Sequence, residues 1–376
     1  VIQGNLPVRN FRDGIFPEIS GLEHVVEKIG EKMDGCWACA VRCKKVVSAK
    51  DPSVVNPEYG GPEYESIGSL GSTCGVSDIV AVSKANELCN KYGLDTISCG
   101  ATISWAMETF EAGQLTPEQT GGLEIRFGDG DMVVTLVDMI AAREGFGDIL
   151  AEGSAWAVEK LGVGQEFLIT SKKQEAPAHM PQVKRGLALL YAMNPFGADH
   201  MGCDHDYSYT EQTYPTFQER LSYLGLTDPQ HAYSLQPAKV EWVRRTQYLF
   251  SFMDSANLCQ LCWGASWTLY GPQDMVKLVQ AVTGWDVSID ELLEVGERRL
   301  VMMRMFNQRA GFDARDDSLP DKFFTKPLKG GASDQVAVDK DEFDKAMVEY
   351  YRQSGWDERS GHPNSETIAR LGIDSL

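Results

Sequence analysis

The chain has 376 residues, enough to bury a substantial core and, on length alone, to form roughly two or three domains. Its 35 Lys+Arg against 54 Asp+Glu leave a net charge of -19, which speaks against nucleic acid and anionic membrane surfaces, where basic patches supply the affinity. No apolar run approaches the ~20 residues of a membrane span, and residues 1–12 hold no apolar core of a secretory signal, so a cytoplasmic location is expected.

Pro7 and Pro17 bracket mixed polar residues that read as an extended lead-in. Leu22, Val25, Val26 and Ile29 stand at helical spacing and predict a helix over 22–33. A cysteine cluster follows, then a turn-rich stretch over 48–63 that reads as loop. The pattern from 75 to 113 is helical, broken once at Tyr92-Gly93. Residues 132–143 place Val133, Leu136, Val137 and Ile140 on one face, with Gly145 as the expected glycine past the helix end. Another helix is expected over 149–161. Pro177, Pro181 and Pro195 mark a long connecting region, and helix resumes over 238–253.

Ser288 with Glu291 reads as a capping box for a helix reaching residue 306. Asp339 with Glu342 does the same for a helix that turns Phe343, Met347 and Tyr350 inward. Alternating strand patterns are nearly absent, so the fold class is mainly α. The run Asn90-Lys-Tyr-Gly-Leu-Asp95 is echoed by Asp254-Ser-Ala-Asn-Leu-Cys259, each at an expected helix start. That echo suggests two related helical halves, 1–200 and 201–376.

Nine cysteines in an unsecreted chain of this size point to thiolate ligation rather than a disulfide scaffold. Gly35-Cys36-Trp-Ala-Cys39-Ala-Val-Arg-Cys43 has C-x2-C-x3-C spacing. Three thiolates this close can cap one face of a cuboidal cluster, with a distant fourth cysteine, Cys259 or Cys262, completing four-iron ligation. Arg42, Lys44 and Lys45 favour thiolates and offset the charge of a ligated cluster. The competing reading is zinc, for which Cys259-x2-Cys262 would be one knuckle. The x3 step in the triplet is not knuckle-like, which favours the cluster. Cys74, Cys89, Cys99 and Cys203 read as buried small hydrophobes; His24, His231 and His362 sit in no constellation.

With these residues in hand, the chain resembles the aldehyde ferredoxin oxidoreductase family of tungsten-pterin enzymes over almost its whole length. Leu6-Pro-Val-Arg-Asn-Phe11, the cysteine triplet, Pro62-Glu-Tyr-Glu-Ser-Ile67 and Asn90–Asp95 follow in family order. So do Glu175-Ala-Pro-Ala-His179, Asn194-Pro-Phe-Gly-Ala-Asp-His200, Asp254–Cys259, Gly355-Trp-Asp and His362-Pro-Asn-Ser-Glu-Thr367. Singly these are weak motifs; together and in order they are specific. Family members begin with a β-rich domain that supplies part of the cofactor cradle. The chain therefore reads as the two C-terminal helical domains, with impaired cofactor binding and no activity expected when isolated.

The resemblance implies a four-iron, four-sulfur cluster with Cys259 as its fourth ligand, and a tungsten or molybdenum ion held by the dithiolene sulfurs of two pterins. Asn90, Asp95 and Asp254 would accept hydrogen bonds from the pterin edges, which present N–H donors. Asn90 stands where the family has Asp and keeps only the carbonyl acceptor. Asn257 stands where it has Gly, so positive φ there costs more. Helix capping is the competing account of these side chains. Glu65 is the candidate general base, with Glu63 second, and His200 the residue to polarise the carbonyl or move protons. His200 and His205 do not form a helical i, i+4 pair, so a metal between them is not expected.

The implied reaction oxidises a small-molecule aldehyde to its acid with ferredoxin as acceptor. A subunit of an aromatic acyl-thioester reductase is the alternative within the family. A non-catalytic iron–sulfur or zinc subunit for electron transfer or structure is the alternative outside it. Lys84-Ala-Asn-Glu-Leu88 lacks the His of a metal-bridged dimer helix, although a homodimer stays compatible.

Overall fold

The computed structural model describes residues 4–19, 25–266 and 269–375. Two compact units emerge: Val1–Met180 with Leu319–Ala337, and Pro181–Ser318 with Val338–Leu376. The sequence expectation placed the boundary at 200; the contact division falls after 180, and a later segment returns to the first unit. Among the described residues no helix is long and apolar enough to cross a membrane.

The first unit begins with a single helical turn, α1 (Glu27–Ile29), and an antiparallel hairpin of β1 (Gly30–Asp34) and β2 (Lys44–Val47). The helix expected over 22–33 is thus corrected. Leu22 and His24 lie outside the described residues, and from Gly30 the chain pairs as a strand whose side chains are mostly exposed. The helices α2 (Tyr64–Leu70), α3 (Ile79–Tyr92) and α4 (Thr96–Glu111) follow. Asp78 caps α3 through the Val80 and Ala81 amides, and Gly93 at φ 72 ends it, a conformation that costs glycine least.

In α5 (Gly130–Ala142), Arg143, not Gly145, takes the left-handed position after the helix, at φ 56. The helix expected over 149–161 is two helices, α6 (Phe146–Leu150) and α7 (Ser154–Leu161). A short hairpin of β3 (Thr170–Ser171) and β4 (Gln174–Glu175) completes this part. The core gathers Leu70, Val82, Ile103, Trp105, Leu136 and Val137, all buried.

The second unit opens with α8 (Arg185–Met193), inside the region read from sequence as connection. Every one of its residues is buried, so it has no polar face for a periodic signal. Next come α9 (Pro215–Tyr223), α10 (Pro237–Ser255), α11 (Pro272–Thr283) and α12 (Ile289–Arg309). The expected capping box of α12 forms, with Ser288 and Glu291 exchanging bonds. Gly296 lets α12 lie against α10: a Cβ there would stand 1.8 Å from the Tyr248 carbonyl oxygen.

The single turn α13 (Lys322–Thr325) belongs to the first unit. It is anchored there by the Lys322 ammonium, which donates to the Glu108 carboxylate and the Asn10 carbonyl. The helices α14 (Lys340–Ser354) and α15 (Ser365–Arg370) return to the second unit; Asp339 caps α14 by accepting the Glu342 amide, which is half of the expected capping box. There Arg304 and Tyr351 close on the buried Asp317.

Candidate functional site

In the first unit the three cysteines sit on the loop joining β1 to β2. The Cys39 amide donates to the Cys36 carbonyl at 3.1 Å, folding Cys36-x2-Cys39 into a tight turn. Ala38 and Arg42 hold φ of 57 and 50, a left-handed backbone that costs a residue with a Cβ of order 1 kcal/mol or more each. The loop is tied down by the Gly35 amide on Asp34 Oδ1 (2.9 Å) and by Arg42 Nη2 on the Met33 carbonyl (2.9 Å). Cys36 is exposed, Cys39 and Cys43 are half-buried, and no disulfide joins them. Three thiols on one turn fit the donor set of an iron–sulfur cluster.

Cys43 leads directly into β2, and β2 forms one wall of a cleft of about 380 Å³ in the same unit. Lys44 and Lys45 stand on that wall, with Glu63, Asn90 and Asp95 opposite or beside them. Asn90 lies in the last turn of α3, not at a helix start, so the capping account of it is corrected. Its Nδ2 donates to the Tyr59 carbonyl at 2.9 Å, and its amide oxygen is the acceptor it can offer the cleft. Asp95 is the N-cap of α4: Oδ1 accepts from the amides of Ile97 (2.7 Å) and Ser98 (3.1 Å). The residue also lines the cleft. A mixed lining of acceptors and ammonium groups fits a pterin, whose ring edges donate and whose phosphate is anionic.

The two candidate carboxylates have different surroundings. Glu63 is half-exposed and pairs with Lys45 Nζ at 2.8 Å. Glu65, in the first turn of α2, is largely buried; its Oε2 accepts the Ala178 amide at 2.6 Å, and its Oε1 lies 3.0 Å from His179 Nε2. Tyr64 stacks on the His179 ring at 5.0 Å and 24°, while its hydroxyl donates to the Ala178 carbonyl at 2.9 Å. In the sequence His179 stands out only as the end of Glu175-Ala-Pro-Ala-His179. Its place between Pro177 and Pro181, in a stretch whose backbone is restricted, was the signal available.

In the second unit, His200 sits inside an Asx turn in which Asp199 Oδ1 accepts the Met201 amide at 2.8 Å. His205 lies under it, with Nε2 at 2.9 Å from the His200 carbonyl and Nδ1 at 3.2 Å from Lys184 Nζ. An ammonium only donates, so Nδ1 accepts and the Nε2 proton goes to the His200 carbonyl. Both His205 nitrogens are thereby engaged with protein groups. Asp204 is fully buried, accepting from the His205 amide and the Ser266 hydroxyl, and burial pushes its carboxyl up to about 6.

Gln260, between Cys259 and Cys262, donates to the Met201 carbonyl at 2.7 Å, so the cysteine turn and the His200 loop are joined within this unit. Cys259 is exposed and Cys262 half-buried. Asp254 lies in the last turn of α10, again not at a helix start. Burial raises its carboxyl above the ordinary value, opposed by Arg299 at 3.2 Å. Asn257 does adopt the left-handed backbone, at φ 57, which Asn tolerates better than most L residues.

A mainly α chain with a three-thiol hairpin set against a polar cleft has the make-up of a helical domain able to hold a metal cluster beside a polar ligand. Comparison with known proteins agrees. The family model described as aldehyde ferredoxin oxidoreductase, domains 2 and 3, matches residues 2–373. The chain belongs to the aldehyde ferredoxin oxidoreductase family.

Among curated relatives, the tungsten-containing aldehyde ferredoxin oxidoreductase of Pyrococcus furiosus is 35% identical over 98% of this chain and 58% of its own length. The enzyme of the same name from Thermococcus kodakarensis is 34% identical over 98% of this chain and 58% of its own length. The WOR-like subunit of an aliphatic sulfonate oxidoreductase from Pyrococcus furiosus is 25% identical over 98% and 55%. The active-site complex BamBC of benzoyl coenzyme A reductase shares the fold, with a TM-score of 0.76 at 19% identity, over 99% of this chain and 58% of that one. The chain thus spans 58% of the aldehyde oxidoreductases it matches.

Proposed function

We propose that this chain is the helical part of a tungsten-pterin, iron–sulfur oxidoreductase that converts aldehydes to carboxylic acids and passes the electrons to ferredoxin. One observation carries the reading: the strand that starts after Cys43 is the wall of the cleft lined by Asn90 and Asp95. A cluster on the hairpin loop and a pterin in the cleft would be immediate neighbours within one unit. Cys36, Cys39 and Cys43 would hold the cluster with Cys259 as fourth ligand, and Asn90, Asp95 and Asp254 would accept the pterin hydrogen bonds. Bound tungsten would supply the acceptor for the two electrons that leave the aldehyde.

The remaining chemistry falls to the protein. Water and an aldehyde give an acid, two protons and two electrons. Glu65 is placed in this reading as the base that takes a proton from the attacking water, and His200 as the donor to the carbonyl oxygen. Glu63 serves less well, because its carboxylate already pairs with Lys45. Tungsten and aldehyde appear in the names of the relatives at 34–35% identity, which favours this reading over an acyl-thioester reductase.

The test is metal analysis of the full-length protein purified without oxygen, together with aldehyde-dependent reduction of a viologen dye. Iron with tungsten and dye reduction are expected. Zinc alone would sink the proposal, and iron without tungsten would leave an electron-transfer subunit.

A further inference from the structure

We infer that Arg299 is the positioning residue for Asp254: it supplies the counter-charge that lets a carboxylate stand at the C-terminal end of α10. The inference rests on the reading of Asp254 as a pterin acceptor, and it names the group that makes that acceptor possible. All of its parts lie in the second unit.

Asp254 occupies a poor place for an anion. It is in the last turn of α10, where the helix dipole presents its negative end and cations are favoured. Burial works against the charge as well. Neither helix propensity nor capping calls for Asp at this position, so the carboxylate is a local cost that a use in the site must offset.

Arg299 comes to it from α12. The two helices touch closely at Gly296, whose carbonyl accepts the Ser251 hydroxyl at 2.9 Å. Three residues further along α12, Arg299 Nη1 donates to Ser251 Oγ at 3.2 Å and lies 3.2 Å from Asp254 Oδ2. Ser251 and Asp254 are neighbours on one face of α10, so the guanidinium spans a single helical turn. The hydroxyl fixes the guanidinium, and the fixed cation gives the carboxylate one preferred neighbour.

The backbone beneath the pair is pinned. The Leu258 amide donates to the Met253 carbonyl at 2.8 Å around Asn257, whose φ of 57 closes the helix end. What stays adjustable in Asp254 is the last side-chain torsion, which is broad. With side chains 34% and 49% exposed, the pair adds little to stability. Its effect falls on a ligand: an ionised acceptor forms a stronger hydrogen bond than a neutral one, and a directed one loses less on binding.

The experiment uses the full-length, metal-loaded protein with Arg299→Met, Arg299→Lys, Asp254→Asn and the R299M/D254N double variant. Tungsten and pterin per chain after anaerobic gel filtration, and Tm by circular dichroism, are compared. R299M is expected to lower pterin retention by about tenfold, and R299K to stay within about threefold of wild type. The double variant is expected to retain no less than D254N alone. D254N is expected to raise Tm by about 1–3 °C in the R299M background and to leave or lower it in wild type.

Losses that multiply in the double variant, or equal losses in R299M and R299K, overturn the inference; the first outcome would place Arg299 on the cofactor itself. The Tm arm separates the two ideas. If D254N retains pterin like wild type, the reading of Asp254 as an acceptor fails. Its Tm effect in the two backgrounds still decides whether Arg299 supports the charge, and equal effects overturn that.

Discussion

Asp95 is assigned two tasks, and a pair of substitutions separates them. Its Oδ1 caps α4 by accepting from two amides, at 2.7 and 3.1 Å, and its side chain also lines the cleft beside Asn90. Asp95→Ala removes the cap, at a cost of about 1–2 kcal/mol. For a domain of this size that lowers Tm by about 2–8 °C. Asp95→Asn keeps an oxygen at the cap and should melt close to wild type, since Asn and Asp cap about equally well. What Asn loses is the charge. A hydrogen bond to a charged acceptor contributes about 1.5–3 kcal/mol, so pterin retention should drop by about 10- to 100-fold in D95N as well as in D95A. Thermal unfolding by circular dichroism reads the first effect. Tungsten and pterin per chain after anaerobic gel filtration of the full-length protein read the second. If D95N melts with D95A, or retains cofactor like wild type, the division of labour between the two oxygens is refuted.

The fourth cluster ligand can be settled by iron content. Cys36→Ser, Cys39→Ser, Cys43→Ser and Cys259→Ser should each lower iron per chain, whereas Cys262→Ser should not; the reverse order for the last two would reassign the ligand. Lys322 is buried, with its pKa lowered by desolvation and held up in part by Glu108. Lys322→Met leaves the Glu108 carboxylate buried without its cation, with only the Asn10 amide still donating to it, and should cost about 3 kcal/mol in urea unfolding, with Glu108→Gln added to it recovering part of the loss.

Asp204 predicts a pH signature. A carboxyl at about 6 in the folded chain and near its ordinary value unfolded binds more protons when folded between those limits. Its ionisation therefore destabilises the fold progressively as pH rises from about 4 to 6, and fully above 6. Tm of Asp204→Asn minus Tm of wild type should climb across that window and level off; a flat difference would refute the buried-acid reading.

What the sequence disclosed follows from how local each feature is. The cysteine triplet was legible because eight consecutive residues carry all three of its thiols. The helices α3, α12 and α14 were legible because each has an end signal, such as Gly93 after α3 or the Ser288–Glu291 box before α12. The β1–β2 hairpin was not, because its first strand buries almost nothing and so has no alternation to display. In α8 the failure is opposite: every position is buried, and a uniform apolar run looks the same as core strand or linker.

The site shows the same division more sharply. Asn90 and Asp254 were read as helix starts from their residue types, yet both occupy final turns. Capping preference is a local rule, and it lost to the demand for polar groups at a cleft wall or beside Arg299. The Glu65 environment lay further out of reach, since its partners are more than a hundred residues away in sequence. Motif order could nominate Glu65 but could say nothing of the imidazole 3.0 Å from it. For such a carboxylate the sequence names the residue, and only the fold shows that the Ala178 amide bonds it and the His179 ring lies beside it.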